Sequence, residues 1–423
     1  MSSMMSGLKG AISSMTHLVT GKLSKEFDAK DVVVVNQAES HFGAHLVGYL
    51  LHHKVKVRAA CKSQEKADVL RHSFCGYAEA HDHLEIVVCA DPCDAATCDA
   101  IMAGATYLML TVSRNPGSFR GDAERDMVAP SLGGTRCLLE SARKAGTVKR
   151  VCLISATYAL GDATKAGQHF TADSWLNVTR EEACKMTDVQ HVFAACNALG
   201  EKEAWDWWRA TGDKKPFQMS ALLLSYIVGP ELLPVGPRGA NKFVVDALTG
   251  GDVHPLYGVG FVDARDVARA AAECLLDATC DGKRHVLEAG HYSYQDMYEW
   301  AKQVGDFQLN PAPSIATAKV RPYARLVVVL SLGRATRSSD ADEVLAPLPF
   351  ALASLASLCS FYIRRRQPPM EAANTYDSAL TSFKIQYTPI EQSIKEMLKQ
   401  VAVHQHHLKQ QQQQQQQTGA ATK

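Results

Sequence analysis

Short apolar runs alternate with longer amphipathic segments along the first half of this chain. Four consecutive valines at 32–35 form the first run and read as a buried parallel strand. A loop follows, and Phe42-Gly43-Ala44-His45-Leu46-Val47 opens an amphipathic helix that reaches about His53. The same pattern predicts further strands at 55–60, 84–91, 105–112 and 149–155, and one at 221–230 that ends in a turn. A helix over 127–144 turns Leu132, Cys137, Leu138, Leu139 and Ala142 inward, and a helix over 189–211 carries Trp205, Trp207 and Trp208 as packing residues. Strands alternating with helices demand an α/β, Rossmann-like doubly wound parallel sheet, placed here over 31–229. After Gly229 the connections become irregular and rich in proline and glycine. That change predicts a smaller C-terminal helical substrate lobe over 230–400, with elements near 259–290 returning to the sheet.

Composition alters this picture mainly at the ends. Apolar residues make up 46% and charged residues 21%, ordinary for a globular protein. A formal net charge of +1 supplies no field to attract nucleic acid or an acidic partner. Twelve cysteines are scattered without a disulfide framework and no secretory segment opens the chain, which points to an intracellular, reducing compartment. Residues 1–30 form an N-terminal extension with Lys9, Lys22 and Lys25 and no acid before Glu26. Leu8, Ile12, Met15, Val19 and Leu23 recur there at helical spacing. The composition suits a transit peptide to a mitochondrion or plastid, the absence of arginine speaks against one, and a disordered or loosely docked extension of a cytoplasmic protein is the other reading. Residues 401–423 hold a glutamine run at 410–417, a low-complexity tail expected to be disordered.

Candidate chemistry collects at the ends of the predicted strands. A strand, a tight turn and a helix at the start of a domain make the dinucleotide-binding βαβ unit, with Gly43 where the helix packs on the strand. Arg58 and Lys62 lie at or just past the end of the second strand, where the adenosine ribose of a dinucleotide would sit. An acid there favours a free 2′-hydroxyl and a cation a 2′-phosphate; with no acid in that stretch, NADP(H) is the expected form, bound weakly. Asp91 closes the third strand and joins the cofactor-binding candidates. Cys89, Cys93 and Cys98 follow closely, but no CxxC pair is present and no metal site is expected. The uncharged stretch 345–363 precedes Arg364-Arg365-Arg366 and reads as a lobe helix, with peripheral membrane contact as the alternative.

Several stretches together resemble the extended short-chain dehydrogenase/reductase superfamily, in its dihydroflavonol reductase, cinnamoyl-CoA reductase and 3β-hydroxysteroid dehydrogenase-like branches. FGAHLVGYLLHHKVKVRAACKS resembles the first helix and second strand, and MVAPSLGGTRCLLESARKAGTVKRVCLIS the elements leading to the catalytic serine. GFVDARDVARAAAECL resembles the segment usually reading FVHVDDVARA, and DSALTSFKIQYTPIEQSIKEML the C-terminal ending. The resemblance spans about 31–399 and implies a GxxGxxG turn, whose positions fall on Gln37, Ser40 and Gly43. It also implies a catalytic Tyr and Lys four residues apart and a serine, positions that fall on Phe193, Asn197 and Ala156. The matching Tyr298 and Lys302 lie about a hundred residues too late, in a stretch that reads as a lobe helix. These replacements predict an atypical, catalytically silent or non-standard member that holds NADP(H). The alternatives are an active NAD(P)-dependent reductase or dehydrogenase whose acid is Tyr158 or His191, and a structural subunit with an empty pocket that binds protein partners. By analogy with such enzymes, the face of Phe193, Ala194 and Ala195 suits a homodimer.

Overall fold

The computed structural model describes residues 22–77, 79–161, 168–250, 258–309, 375–376 and 385–420. Seven parallel strands form the central sheet: β1 (Val32–Asn36), β2 (Lys56–Cys61), β3 (Leu84–Val88), β4 (Tyr107–Thr111), β5 (Arg150–Ala156), β6 (Gln218–Leu224) and, late in the chain, Arg284–Leu287. In space their order is Arg284–Leu287, β6, β5, β4, β1, β2, β3. The strand order therefore reverses between β1 and β4, the switch point at which open α/β sheets hold ligands.

Both faces are covered, as the continuous apolar strands require. Helix α1 (His41–His52) and a late helix, Ala264–Leu276, pack over β1, β2 and β6 on one side. Helices α2 (Gln64–Phe74), α3 (Ala95–Met102), α4 (Ala129–Ala145) and α5 (Val189–Ala210) complete the doubly wound layers. The tryptophans of α5 serve as packing residues: Trp205 and Trp207 are buried against β5 and β6.

The run predicted at 221–230 is two strands. Its first part is β6; the chain then bends at Ser225, whose Oγ donates to Glu288 Oε2 at 2.7 Å, and β7 (Tyr226–Val228) enters a second sheet. There β7 pairs in parallel with β8 (Gly258–Asp263), which pairs antiparallel with Gly290–Ser293. Helix α6 (Gly239–Thr249), α7 (Ala264–Leu276), α8 (Tyr294–Ala301) and α9 (Ile390–Ala420) follow in chain order, and α6, α8 and the start of α9 cover this smaller sheet.

Residues 22–30 are docked: Ser24 N donates to Glu273 Oε1 at 2.8 Å, and Phe27 meets Tyr107 edge-on at 5.4 Å. One expectation about the ends changes. The glutamine run, expected to be irregular, continues α9. Ile390, Ile394, Met397, Leu398 and Val401 anchor the helix, and glutamine is a good helix former once the costly first turn exists. The first 21 residues and the stretch 345–363 lie outside the described residues. Among the described residues no helix is long and apolar enough to cross a membrane.

Candidate functional site

The switch point is built by Asn36, Gln37, Glu39 and Ser40. Asn36 ends β1 and pairs with β4 through its side chain: Oδ1 accepts from Thr111 N at 2.7 Å and Nδ2 donates to Thr111 O at 3.3 Å. Gln37, at the first glycine position, has φ +52°. Glycine takes that left-handed conformation freely, whereas other residues incur ~1–2 kcal/mol. Its amide Nε2 donates to Ser113 O at 2.8 Å, so the side chain crosses toward the end of β4. Ser40, at the second position, caps α1, its Oγ accepting from Gly43 N at 3.0 Å. That cap satisfies an amide that a helix N-terminus would otherwise offer to an anion. Gly43 is fixed by packing, since a Cβ there would stand 2.5 Å from Gln37 O.

The end of β2 differs from its sequence. Ala38 N donates to Ala60 O at 3.1 Å, which swings Glu39 over the end of the strand. Glu39 is 8% exposed; Oε1 accepts from Lys62 N at 3.4 Å, and Oε2 is buried with no partner among the described residues. Burial, then the charge of Glu39, pushes the Cys61 thiol up to about 12. The strand carries no acid, yet the loop delivers one. Lys62 is exposed, and Ser63 caps α2 by accepting from Lys66 N at 3.3 Å.

Arg58 does not reach this place. It sits in mid-strand, its Nε donating to Glu85 Oε2 at 2.7 Å and its Nη1 to Ile101 O and Ala103 O at 2.7 and 2.8 Å. The guanidinium therefore caps the carboxyl end of α3. Asp91 lies in the turn after β3, exposed, its Oδ1 accepting from Cys93 N at 2.9 Å. Of the sequence candidates, the structure brings Gly43 and Lys62 to the loop and the end of β2, and leaves Arg58 outside.

A clasp joins the loop to the segment after β7. Arg238 Nη1 donates to Glu39 O at 2.5 Å while Nη2 pairs with Glu231 Oε2 at 2.8 Å. Glu231 also meets His41 Nδ1 at 3.1 Å and accepts from Asn241 Nδ2 at 3.1 Å. Burial works to raise the Glu231 carboxyl, but His41 and Arg238 outweigh it and hold it down to about 2. Sequence reasoning missed Glu39, Glu231 and Arg238. Nothing in their local patterns marks them, because the contacts that tie Glu231 and Arg238 to the loop join residues about two hundred positions apart.

The chemical positions stand on α5 and β5. Asn197 is buried; its Oδ1 accepts from Ser113 Oγ at 3.1 Å and its Nδ2 donates to Phe193 O at 2.8 Å. A neutral chain from Gln37 through Ser113 to Asn197 thus links the loop, β4 and α5. β5 keeps its register through Ala156, paired with Leu224, so neither Ser155 nor Thr157 slips into the serine position. Beside Phe193 stands Tyr158, its ring 6.2 Å away in edge contact. The Tyr158 hydroxyl donates to the Tyr226 hydroxyl, and the Tyr226 ring packs on Phe243 at 5.3 Å. His191 is exposed on the first turn of α5, its Nδ1 3.5 Å from Asp188. Tyr298 and Lys302 belong to α8 and its end, where Lys302 pairs with Glu299 at 2.7 Å. Among the described residues no group of three or more His, Cys, Asp or Glu side chains could hold a metal ion.

No family model matches the sequence. The NADPH-dependent methylglyoxal reductase GRE2 of Saccharomyces cerevisiae is 26% identical over 280 residues, which cover 63% of this chain and 80% of the relative. Cinnamoyl-CoA reductase CAD2 of Medicago truncatula is 24% identical over 266 residues, covering 62% of this chain and 78% of the relative. The crystal structure of yeast methylglyoxal/isovaleraldehyde reductase Gre2 complexed with NADPH superposes with a TM-score of 0.67 at 20% identity, covering 89% of this chain and 99% of that one. In its seven-stranded sheet and switch-point loop the chain has the fold of these reductases, and in sequence it is similar to them.

Proposed function

We propose that this protein is a nicotinamide-dinucleotide-dependent oxidoreductase of carbonyl or hydroxyl substrates, with Tyr158 as a non-standard acid. The observation that carries the reading is the Tyr158–Tyr226 hydroxyl pair standing beside Phe193, next to the position where the superfamily places its tyrosine. The reductase activities named for the relatives support it, and the NADPH named for the yeast reductase, together with Lys62, supports a phosphorylated dinucleotide. The loop 36–43 and the end of β2 would hold the cofactor: they retain the left-handed turn at Gln37, the close approach at Gly43 and an unpartnered buried oxygen on Glu39. A bound dihydronicotinamide supplies the hydride.

Tyr158 gives the proton from its hydroxyl to the substrate oxygen, and the Tyr226 hydroxyl turns to stabilise the phenolate that remains. Asn197 carries no charge and is held by Ser113 and the Phe193 carbonyl, so it supplies no cation to stabilise the phenolate as a lysine would. Turnover is therefore slow. A positioned acid contributes ~10²–10⁴-fold, which sets the expected loss in Tyr158→Phe. The test is reduction of methylglyoxal and of a cinnamoyl-type aldehyde with NADPH and with NADH, alongside dinucleotide titrations. Wild-type turnover that falls at least about a hundredfold in Tyr158→Phe, with binding unchanged, supports the reading. Turnover equal in the two proteins overturns the role of Tyr158.

The neutral Gln37–Ser113–Asn197 chain favours a second reading, a dinucleotide-binding protein without turnover. Binding with no detectable reduction by the wild type would establish it.

A further inference from the structure

Four cysteines meet where β3 ends, and no assigned role uses them. Cys89 follows β3, Cys93 lies in the turn, Cys98 is in α3 and Cys137 stands on α4. All four are free thiols; Cys93 is exposed, Cys89 and Cys137 are half-buried and Cys98 is buried. The turn draws Cys89 and Cys98 together. Cys89 Sγ lies 3.6 Å from Asp91 O, and Cys98 Sγ lies 3.4 Å from the next carbonyl, Pro92 O. The two thiols also hydrogen-bond each other, and Cys98 reaches Cys137 as well. Helix α4 closes the far side: a Cβ on Gly134 would stand 2.8 Å from Pro92 Cβ, and one on Gly133 would stand 2.6 Å from Cys93 Sγ. Cys89 is anchored through its main chain, its N donating to Cys61 O at 2.7 Å.

We infer that Cys89 and Cys98 form an oxidation site for hydrogen peroxide, at which the pair closes to a disulfide and loosens the turn at Asp91 and Pro92. A thiol's susceptibility follows its thiolate character and its exposure. Cys89 has both. It is half-buried, so a small oxidant reaches it, and the hydrogen bond from Cys98 draws its thiol below the ordinary range against burial and Asp91. The same contact, then burial, pushes the Cys98 thiol up, so Cys98 keeps its proton. Cys93 is more exposed, but partial burial and then Asp91 push its thiol up. The Cys89 thiolate attacks one peroxide oxygen: an S–O bond forms, the O–O bond breaks, and the leaving hydroxide takes up the proton that Cys89 released. The Cys98 sulfur then attacks Cys89, forming S–S and breaking S–O, and the second hydroxide leaves as water with the Cys98 proton. The thiol pair gives up two electrons, and the peroxide is reduced to two waters. Closure removes both S–H groups from the carbonyls of Asp91 and Pro92. The pair is separate from the loop 36–43 and from Tyr158 and Tyr226, so it stands whether or not the protein turns over.

Thiol mapping of the full-length protein after a stoichiometric dose of hydrogen peroxide tests this. The protein is then unfolded in an alkylating reagent and its peptides are weighed. Cys89 and Cys98 should be lost to alkylation together and recovered by dithiothreitol, while Cys93 and Cys137 remain alkylated. In the oxidised protein hydrogen exchange should quicken at the Cys93 and Asp94 amides, which bond to Asp91 Oδ1 at 2.9 Å and Asp91 O at 3.2 Å. In Cys98→Ser the oxidation should stop at Cys89, as a sulfenic acid that dimedone traps. In Cys89→Ser, Cys98 should stay reduced. Full alkylation of Cys89 and Cys98, a Cys98–Cys137 or Cys89–Cys93 link in place of theirs, or exchange unchanged at the turn overturns the inference. If either variant fails to fold, the wild-type map and its exchange decide.

Discussion

Replacing His45 with glutamine should flatten the acid limb of this protein's stability profile. His45 lies on α1 beneath the loop, 4% exposed, its Nε2 bonded to Pro230 O at 2.8 Å and its ring 5.1 Å from that of His41. Burial first, then His41, pushes the imidazole down from 6.5 to about 3. The sign follows directly. Between those values the unfolded chain takes up a proton that the folded one refuses, so stability falls as the pH drops from 6.5 toward 3 and is unaffected above. Each pKa unit is worth about 1.4 kcal/mol, so His45 alone removes roughly 3 kcal/mol between pH 6.5 and pH 4. Glutamine can still donate to the Pro230 carbonyl and does not titrate. Asp266, which burial and then Asp263 raise to about 6, acts in the opposite direction in both proteins and cancels in the difference. Urea unfolding at a series of pH values, with slopes checked for equality, gives both curves. The stability lost between pH 7 and pH 4 should shrink by roughly 3 kcal/mol in His45→Gln. Parallel curves would refute the assignment of a neutral, desolvated imidazole.

Three further substitutions probe the loop and its supports. Gly43→Ala places a methyl 2.5 Å from Gln37 O, so overpacking should cost about 1–3 kcal/mol by denaturant unfolding and weaken any dinucleotide binding together with it. Arg58→Gln removes a charged donor from the Ile101 and Ala103 carbonyls; stability should fall by about 1.5–3 kcal/mol while the NADPH to NADH affinity ratio stays unchanged, as calorimetry would show. Arg238→Gln strips Glu231 of its cation, and the Glu231 carboxyl should rise from about 2 toward the ordinary carboxylate range. Its stabilising contribution, present above that range and lost as pH falls through it, should then disappear at a higher pH. The loss at pH 7 should be on the order of 2 kcal/mol, below that for a fully buried pair because Arg238 is 25% exposed.

Much of the architecture was legible in the order of residues. The valines at 32–35, the apolar runs that became β2 to β5 and the amphipathic stretches between them determined a parallel, doubly wound sheet, because burial on both faces demands continuous apolar strands. The bend at Ser225 was hidden, since an apolar run looks the same in one strand or two. The helical glutamine run was hidden for a related reason: low complexity describes composition, whereas the docked turns at Ile390, Ile394 and Met397 determine whether a helix is already nucleated.

At the site the division is sharper. Gln37, Phe193, Asn197 and Ala156 could be read as replacements through the resemblance to extended short-chain dehydrogenases, whose motif positions carry over along a strand or helix. Gly43 could be read as kept for the same reason. Which charged groups meet was decided only by tertiary structure. Arg58 and Lys62 are four residues apart in sequence, yet one caps α3 and the other ends the strand beside Glu39. Arg238 clasps Glu39 to Glu231 although Glu39 lies about two hundred positions away from both. Local periodicity determines which face of an element is buried. The partners of a charged side chain depend on where distant elements pack and which way that side chain then points, and short-range pattern contains neither.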